Sequence, residues 1–253
     1  MRSTTDPQSP EALLSQLRTR GVALCSSEDL GLDLGTLQTV YGKASSQGGA
    51  NGQWDTRNHS TEMPGTELLD KFPDVYRLGA QPALVHIASE YFGRQPILYD
   101  VTYRRDHNVQ EQRGIRQWHR DREADRVFKA LVYLNDVGSD GGGFQYVERD
   151  RTPWRGWFRL FPQPWRFSDR AMSMLVPDEH WDTCSGVAGT VVLVDAAALY
   201  HHGTNPAKHR DVVTFSYVPL GPPPRDVSSR SHVSRLVRNF RDARTLAANM
   251  IAR

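Results

Sequence analysis

GTVVLVDAAALYHHGTNPAKHRDVVTFSYVP, residues 189–219, decides the fold class of this chain. It holds two runs rich in Val, Thr, Phe and Tyr, 189–196 and 212–219, a composition that suits strands. The interval between them is too short and too broken by Gly203 and Pro206 for the crossover helix that a parallel pair needs. Antiparallel pairing is therefore expected. Three further short runs of the same kind lie upstream: PILYDVTYRR (96–105), KALVYLNDV (129–137) and GGFQYVE (142–148). Each is bounded by Gly, Pro, Asn or Asp, and together they predict a mainly β sandwich or barrel.

The first 95 residues read differently. Ser9-Pro10-Glu11 is an N-cap followed by proline in the first helical turn, Leu13, Leu14 and Leu17 form an apolar stripe, and Gly21 ends the helix. VALCS (22–26) is a strand candidate and LGTLQTVYGKA (34–44) a second helix. SSQGGANGQW (45–54) has the glycine and asparagine density of a loop. Residues 66–92 predict helices broken near Pro73 and Pro82 and ended by Gly93. A single domain is expected over 1–253: a mainly helical cover at 1–95, a β core at 96–220, an insertion at 149–181 and a C-terminal helix at 225–253. The insertion carries Trp154, Trp157, Trp165 and Trp181 among arginines and prolines. It suits either a lid over a polar, ring-containing substrate, with Trp157 and Trp165 as candidate substrate contacts, or a cover packed on the outside of the β core.

Composition narrows the function. With 253 residues, 24% charged and 38% hydrophobic, and a mean hydropathy of −0.57, the chain is an ordinary globular protein. The formal net charge of +2 gives no global pull towards nucleic acid. Seven arginines against two aspartates from Arg225 onward make the tail basic, which reads first as the solvated face of an amphipathic helix. No membrane span and no leader segment are expected. Cys25 and Cys184 make neither a disulfide framework nor a zinc cluster, so a reduced, cytoplasmic protein is the expectation.

The chemistry lies in four separated residues. His119 and Asp121, two apart in QWHRD, share one face of an extended segment and can give one nitrogen and one oxygen to the same ion. A histidine at the end of a neighbouring strand, His201 or His202, completes two histidines and one carboxylate. That set leaves positions open and suits non-haem Fe(II) and O2. A 2-oxoglutarate cosubstrate chelates such an ion through its 2-oxo acid end, and its far carboxylate needs a cation deeper in the fold. Arg210, opening the last strand, can supply a planar, two-pronged hydrogen bond.

WHRD, KALVYLNDVGSDGGGFQYV, AGTVVLVDAAALYHHG and HRDVVTFSYVP, in this order and spacing, resemble the phytanoyl-CoA dioxygenase superfamily of Fe(II)/2-oxoglutarate oxygenases over residues 95–220. The resemblance implies a double-stranded β-helix, a jelly-roll-like or cupin-like barrel with iron at its mouth. It implies His119, Asp121 and His201 as iron ligands and Arg210 as cosubstrate anchor, with His201 preferred to His202 because the family's ligand stands two before the glycine, here Gly203. His202 stands where the family usually has arginine. Related halogenases replace the carboxylate by a small residue, so Asp121 favours hydroxylation or another two-electron oxidation.

Lys129, Leu131 and Tyr133 share one strand face, so Lys129 or Tyr133 could meet cosubstrate or substrate. Thr190 is a candidate hydroxyl near the cosubstrate, and Gln117 a candidate substrate contact beside His119. The implied activity is a dioxygenase, using Fe(II), 2-oxoglutarate and O2, that hydroxylates or oxidatively cyclises a small polar substrate in natural-product biosynthesis. Enzymes that close rings on sugar antibiotics (the orthosomycin type) are one such group. Alternatives are a nucleic-acid oxygenase using the basic tail, a non-catalytic jelly-roll binding module, and a metal hydrolase in which Arg210 has no role. Oligomeric state is not legible.

Overall fold

The computed structural model describes residues 8–51, 60–63, 68, 71–109, 112–152 and 166–221. Two helices open the chain, α1 (Pro10–Arg20) and α2 (Leu34–Asn51). Nine strands follow one another as β1 (Val22–Ser26), β2 (Ser60–Met63), β3 (Pro96–His107), β4 (Phe128–Tyr133), β5 (Phe144–Val147), β6 (Trp181–Cys184), β7 (Thr190–Asp195), β8 (His201–Gly203) and β9 (His209–Pro219). They form a six-stranded sheet ordered β1-β7-β4-β9-β3-β2 and a three-stranded sheet ordered β6-β5-β8. Every paired neighbour is antiparallel.

The large sheet is buried on both faces, which explains its near-continuous apolar strands. On β7, Val191 and Leu193 belong to the layer beneath the helices, while Val192 and Val194 face the small sheet. The helices cover the first face with stripes at helical spacing: Leu13, Leu14 and Leu17 on α1, Leu37, Tyr41 and Ala44 on α2. Helix Pro82–Phe92 adds Leu84, Ile87, Ala88, Tyr91 and Phe92. The second face meets the small sheet through Leu131, Tyr133, Phe144, Tyr146 and Val212. Tyr133 ties the layers together, its hydroxyl donating to Cys184 O and accepting from Phe144 N, both at 2.9 Å.

Expected turns and caps are found where their chemistry predicts. The Ser9 hydroxyl accepts from Ala12 N at 3.2 Å, and Gly21 and Gly93 end their helices at positive φ, 84° and 67°.

Four expectations change. The sheets are not closed into a barrel: the six- and three-stranded sheets are separately hydrogen-bonded layers of a jelly-roll-like fold. The segment expected to be a loop from Ser45 is helical to Asn51, because α2 is capped by Asp33, which accepts from Gly35 N at 3.0 Å, and is held by its buried stripe. Extension from a docked turn then gains a hydrogen bond per residue despite its glycines. The cover and core also interleave, since β1 and β2, from the first 95 residues, are the two edges of the large sheet. Trp181, read as part of the insertion, begins β6 and packs on Trp118 at 4.8 Å between ring centroids. Trp157, Trp165 and the basic tail from Arg225 lie outside the described residues.

Candidate active site

Backbone pairing assembles the cluster. His119 and His201 exchange reciprocal N–H···O bonds of 3.0 Å, so the loop carrying His119 lies beside β8 as an extra, one-residue strand. Two residues on, Asp121 N donates to Ala196 O at 2.9 Å, docking the carboxylate at the end of β7. Trp118 holds this loop from behind: it is fully buried, pairs with Phe167 and donates from Nε1 to Asp169 Oδ1 at 2.9 Å.

One donor atom from each of His119, Asp121 and His201 lies within 4.8 Å of the other two. Asp121 Oδ1 is 3.7 Å from His119 Nε2 and 3.9 Å from His201 Nε2. The other ring nitrogens face backbone carbonyls, His119 Nδ1 at 2.7 Å from Gln117 O and His201 Nδ1 at 3.1 Å from Leu199 O. Donation to a carbonyl places the proton on Nδ1 and leaves the Nε2 lone pair for a metal. Burial, with His119 beside it, pushes His201 down to about 3, so the ring is neutral near pH 7. Burial opposes ionisation of Asp121, but the Lys129 ammonium together with His201 and His119 outweighs it and holds the carboxyl at about 2. Two neutral imidazoles and one carboxylate are a donor set that fits a divalent transition metal.

Lys129 has a definite partner, its Nζ 2.5 Å from Asp121 Oδ2, which leaves Oδ1 turned towards the histidines. Lys129, Leu131 and Tyr133 do share the face towards the small sheet. Tyr133, however, lies at the far end of that face, with its hydroxyl committed to the backbone of β5 and β6. Gln117 serves His119 through its backbone carbonyl.

The far end gathers the other predicted residues. Tyr133 pairs with Val212, two residues from Arg210, and lies near enough to feel the arginine's charge. Thr190 adjoins on the next strand, where Val191 pairs with Val132. Arg210 is buried, and a Cβ at Gly203 would overlap its guanidinium. Gly203 is two residues beyond His201 on β8, roughly 7 Å at the rise of an extended chain. That spacing suits the length of a five-carbon dicarboxylate. Arg210 Nη1 and Thr190 Oγ1 are buried with no hydrogen-bond partner among the described residues, and buried donors of this kind call for an acceptor. Gly203→Ala is expected to displace the guanidinium and weaken 2-oxoglutarate binding by about 10-fold, the effect of a ~1–3 kcal/mol overpacking strain, with metal affinity unchanged by calorimetry.

His202 points elsewhere. Its Nε2 is 2.8 Å from Gln145 Oε1, its Nδ1 3.1 Å from Arg116 O, and its ring 4.3 Å from that of Trp118. His202→Ala is expected to cost about 1–3 kcal/mol of stability through these lost partners, read by urea denaturation, while metal stoichiometry stays at wild type.

Asp106, Arg104 and Arg116, which surround Arg210, were not singled out by sequence. A signal existed in β3, where Val101 and Tyr103 pack beneath the helices and alternation sends Arg104 and Asp106 to the inward face.

No family model matches the chain, and no curated protein matches it by sequence. Solved structures do. The non-haem α-ketoglutarate-dependent carbocyclase SnoK from nogalamycin biosynthesis aligns with a TM-score of 0.66 and 16% identity, over 91% of this chain and 93% of that one. The epimerase SnoN, also from nogalamycin biosynthesis, gives 0.63 and 18%, over 90% and 87%. HygX from Streptomyces hygroscopicus, solved with nickel, 2-oxoglutarate and hygromycin B, gives 0.54 and 17%, over 82% and 86%. The chain therefore has the fold of the non-haem 2-oxoglutarate-dependent enzymes, as the resemblance of its motifs implied. No helix among the described residues is long and apolar enough to cross a membrane.

Proposed function

We propose that this protein is an Fe(II)/2-oxoglutarate-dependent oxygenase that oxidises a small polar molecule in natural-product biosynthesis. The observation that carries the proposal is the meeting of His119, Asp121 and His201 within one ion's reach, with the unsatisfied donors of Arg210 and Thr190 deeper on the same inward face. His119 Nε2, His201 Nε2 and Asp121 Oδ1 would hold the iron. When bound, the metal supplies O2 activation for oxidation of a substrate C–H bond, coupled to conversion of 2-oxoglutarate to succinate and CO2.

The protein's residues bind and orient. The carbonyls of Gln117 and Leu199 fix the two imidazoles in the metal-binding tautomer. Lys129 holds Oδ2 of Asp121, so that a single carboxylate oxygen faces the metal. Arg210 and Thr190 would receive the far carboxylate of the cosubstrate, fixing its depth, and the carboxylate Asp121 favours oxygen transfer over halogenation. Phe144 stacks on the His201 ring at 5.2 Å and makes that side of the site apolar, which limits water beside the metal.

A small-molecule substrate is supported by SnoN, solved with Fe3+, α-ketoglutarate and nogalamycin RO, and by HygX with hygromycin B. Hydroxylation and oxidative ring closure are both within the chemistry of such a site.

Anaerobic addition of Fe(II) and then 2-oxoglutarate is expected to produce the weak visible charge-transfer band of the chelate, and admission of O2 to produce succinate. Absence of both the band and succinate would sink the proposal.

A further inference from the structure

Asp106 is the inward-facing group that the proposed activity leaves without a role. It is fully buried on β3, directly across from Arg210 on β9. Its Oδ2 accepts from both Nε and Nη2 of Arg210, at 3.0 and 2.5 Å. Its Oδ1 accepts from the Ser60 hydroxyl at 2.6 Å, faces Arg104 Nε at 3.1 Å and lies 4.0 Å from Arg116 Nη1. Arg116 is held in turn by His107 O at 3.2 Å, Thr204 O at 3.1 Å and Asn205 Oδ1 at 3.2 Å. One carboxylate is thus shared among three guanidinium groups. Burial opposes its ionisation, yet the arginines hold it well below the usual carboxylate range.

A free guanidinium offers a carboxylate two parallel N–H bonds from one edge. In Arg210 the Nε–Nη2 edge is taken by Asp106, and Gly203 lies against Nη2. Nη1 is left without a partner among the described residues.

We propose that Asp106 is a positioning residue for cosubstrate binding: by engaging the Nε–Nη2 edge of Arg210, it aims Nη1 at the far carboxylate of 2-oxoglutarate. Recognition then falls to the donors of Arg210 that Asp106 leaves free, Nη1 first among them, completed by the Thr190 hydroxyl. This inference rests on the proposed oxygenase function and names how that site selects its cosubstrate.

The test compares two acids on the Ni(II)-loaded full-length protein by calorimetry. 2-Oxoglutarate carries the far carboxylate; 2-oxobutanoate chelates through the same 2-oxo acid group and lacks it. Asp106→Glu keeps the charge but moves it by one methylene, and Asp106→Asn removes it. Both variants are expected to lose 2-oxoglutarate affinity by about 10-fold or more, the worth of one charge-assisted hydrogen bond, while 2-oxobutanoate affinity stays unchanged. In turnover, the KM for 2-oxoglutarate rises and kcat at saturation holds. Equal loss for both acids would reveal a merely structural role and overturn the proposal, as would no loss for either. Should Asp106→Asn fail to fold, Asp106→Glu decides alone. A wild-type protein that does not distinguish the two acids would remove the assignment of Arg210 itself, whereas discrimination unaltered in the variants would remove only that of Asp106.

Discussion

Asp121→Ala is expected to abolish succinate formation and to lower metal affinity by more than the roughly 10–100-fold that loss of a ligand's supporting partner costs. The reason is the donor set. With Asp121 gone, His119 and His201 remain as two neutral nitrogens, and the site loses its only negative charge among the three. The substitution also takes from Lys129 its nearest carboxylate, 2.5 Å away at Asp121 Oδ2, and leaves it only the influence of Glu123 and Asp100. A cation left beside the metal position repels a divalent ion, so Asp121→Ala, Lys129→Ala together should bind metal better than Asp121→Ala alone. Titration of the apo-proteins with Ni(II) measures both effects. Wild-type metal affinity in Asp121→Ala would remove the carboxylate from the ligand set.

Arg210→Ala is expected to damage stability and cosubstrate binding together, and to spare metal binding. Its removal leaves Asp106 fully buried with Arg104 and the more distant Arg116 as counter-charges. Breaking a buried ion pair from one side costs about 3–5 kcal/mol, and the remaining arginines place this case at the lower end. Chemical denaturation of the metal-free protein reads that loss. Affinity for 2-oxoglutarate should fall by about 10- to 100-fold, the worth of a hydrogen bond to a charged group. Ni(II) affinity in the absence of the acid should stay at wild type, because Arg210 lies beyond Gly203, a strand step past His201. A parallel collapse of metal binding would mean that Arg210 supports the ligand cluster rather than the cosubstrate.

Much of the fold was legible because its signals are local. The apolar alternation of β3, the Val-rich run of β7, the Ser9 cap and the stop at Gly21 each act within a few residues. The strands that escaped notice are short: β2 has four residues, β6 four and β8 three. Such lengths carry too little periodicity to register alone, and they exist because a neighbouring strand supplies their hydrogen bonds. The helical course of Ser45–Asn51 likewise overrides its own glycines through the docking of Leu37, Tyr41 and Ala44.

The candidate site divides along the same line. His119, Asp121, His201 and Arg210 were readable because metal and carboxylate chemistry demands those residue types, and their order matched a known pattern. Sequence also fixed the parity of Lys129, Leu131 and Tyr133, since alternation along a strand is a property of the backbone. Only the tertiary structure decided that Lys129 reaches Asp121, that Tyr133 spends its hydroxyl on the opposite sheet, and that His202 turns to Gln145. It alone set Asp106 against Arg210, 104 residues apart in the chain. Residue type and local spacing are written in the chain, whereas partners joined across sheets depend on strand register, which every long-range contact must settle together.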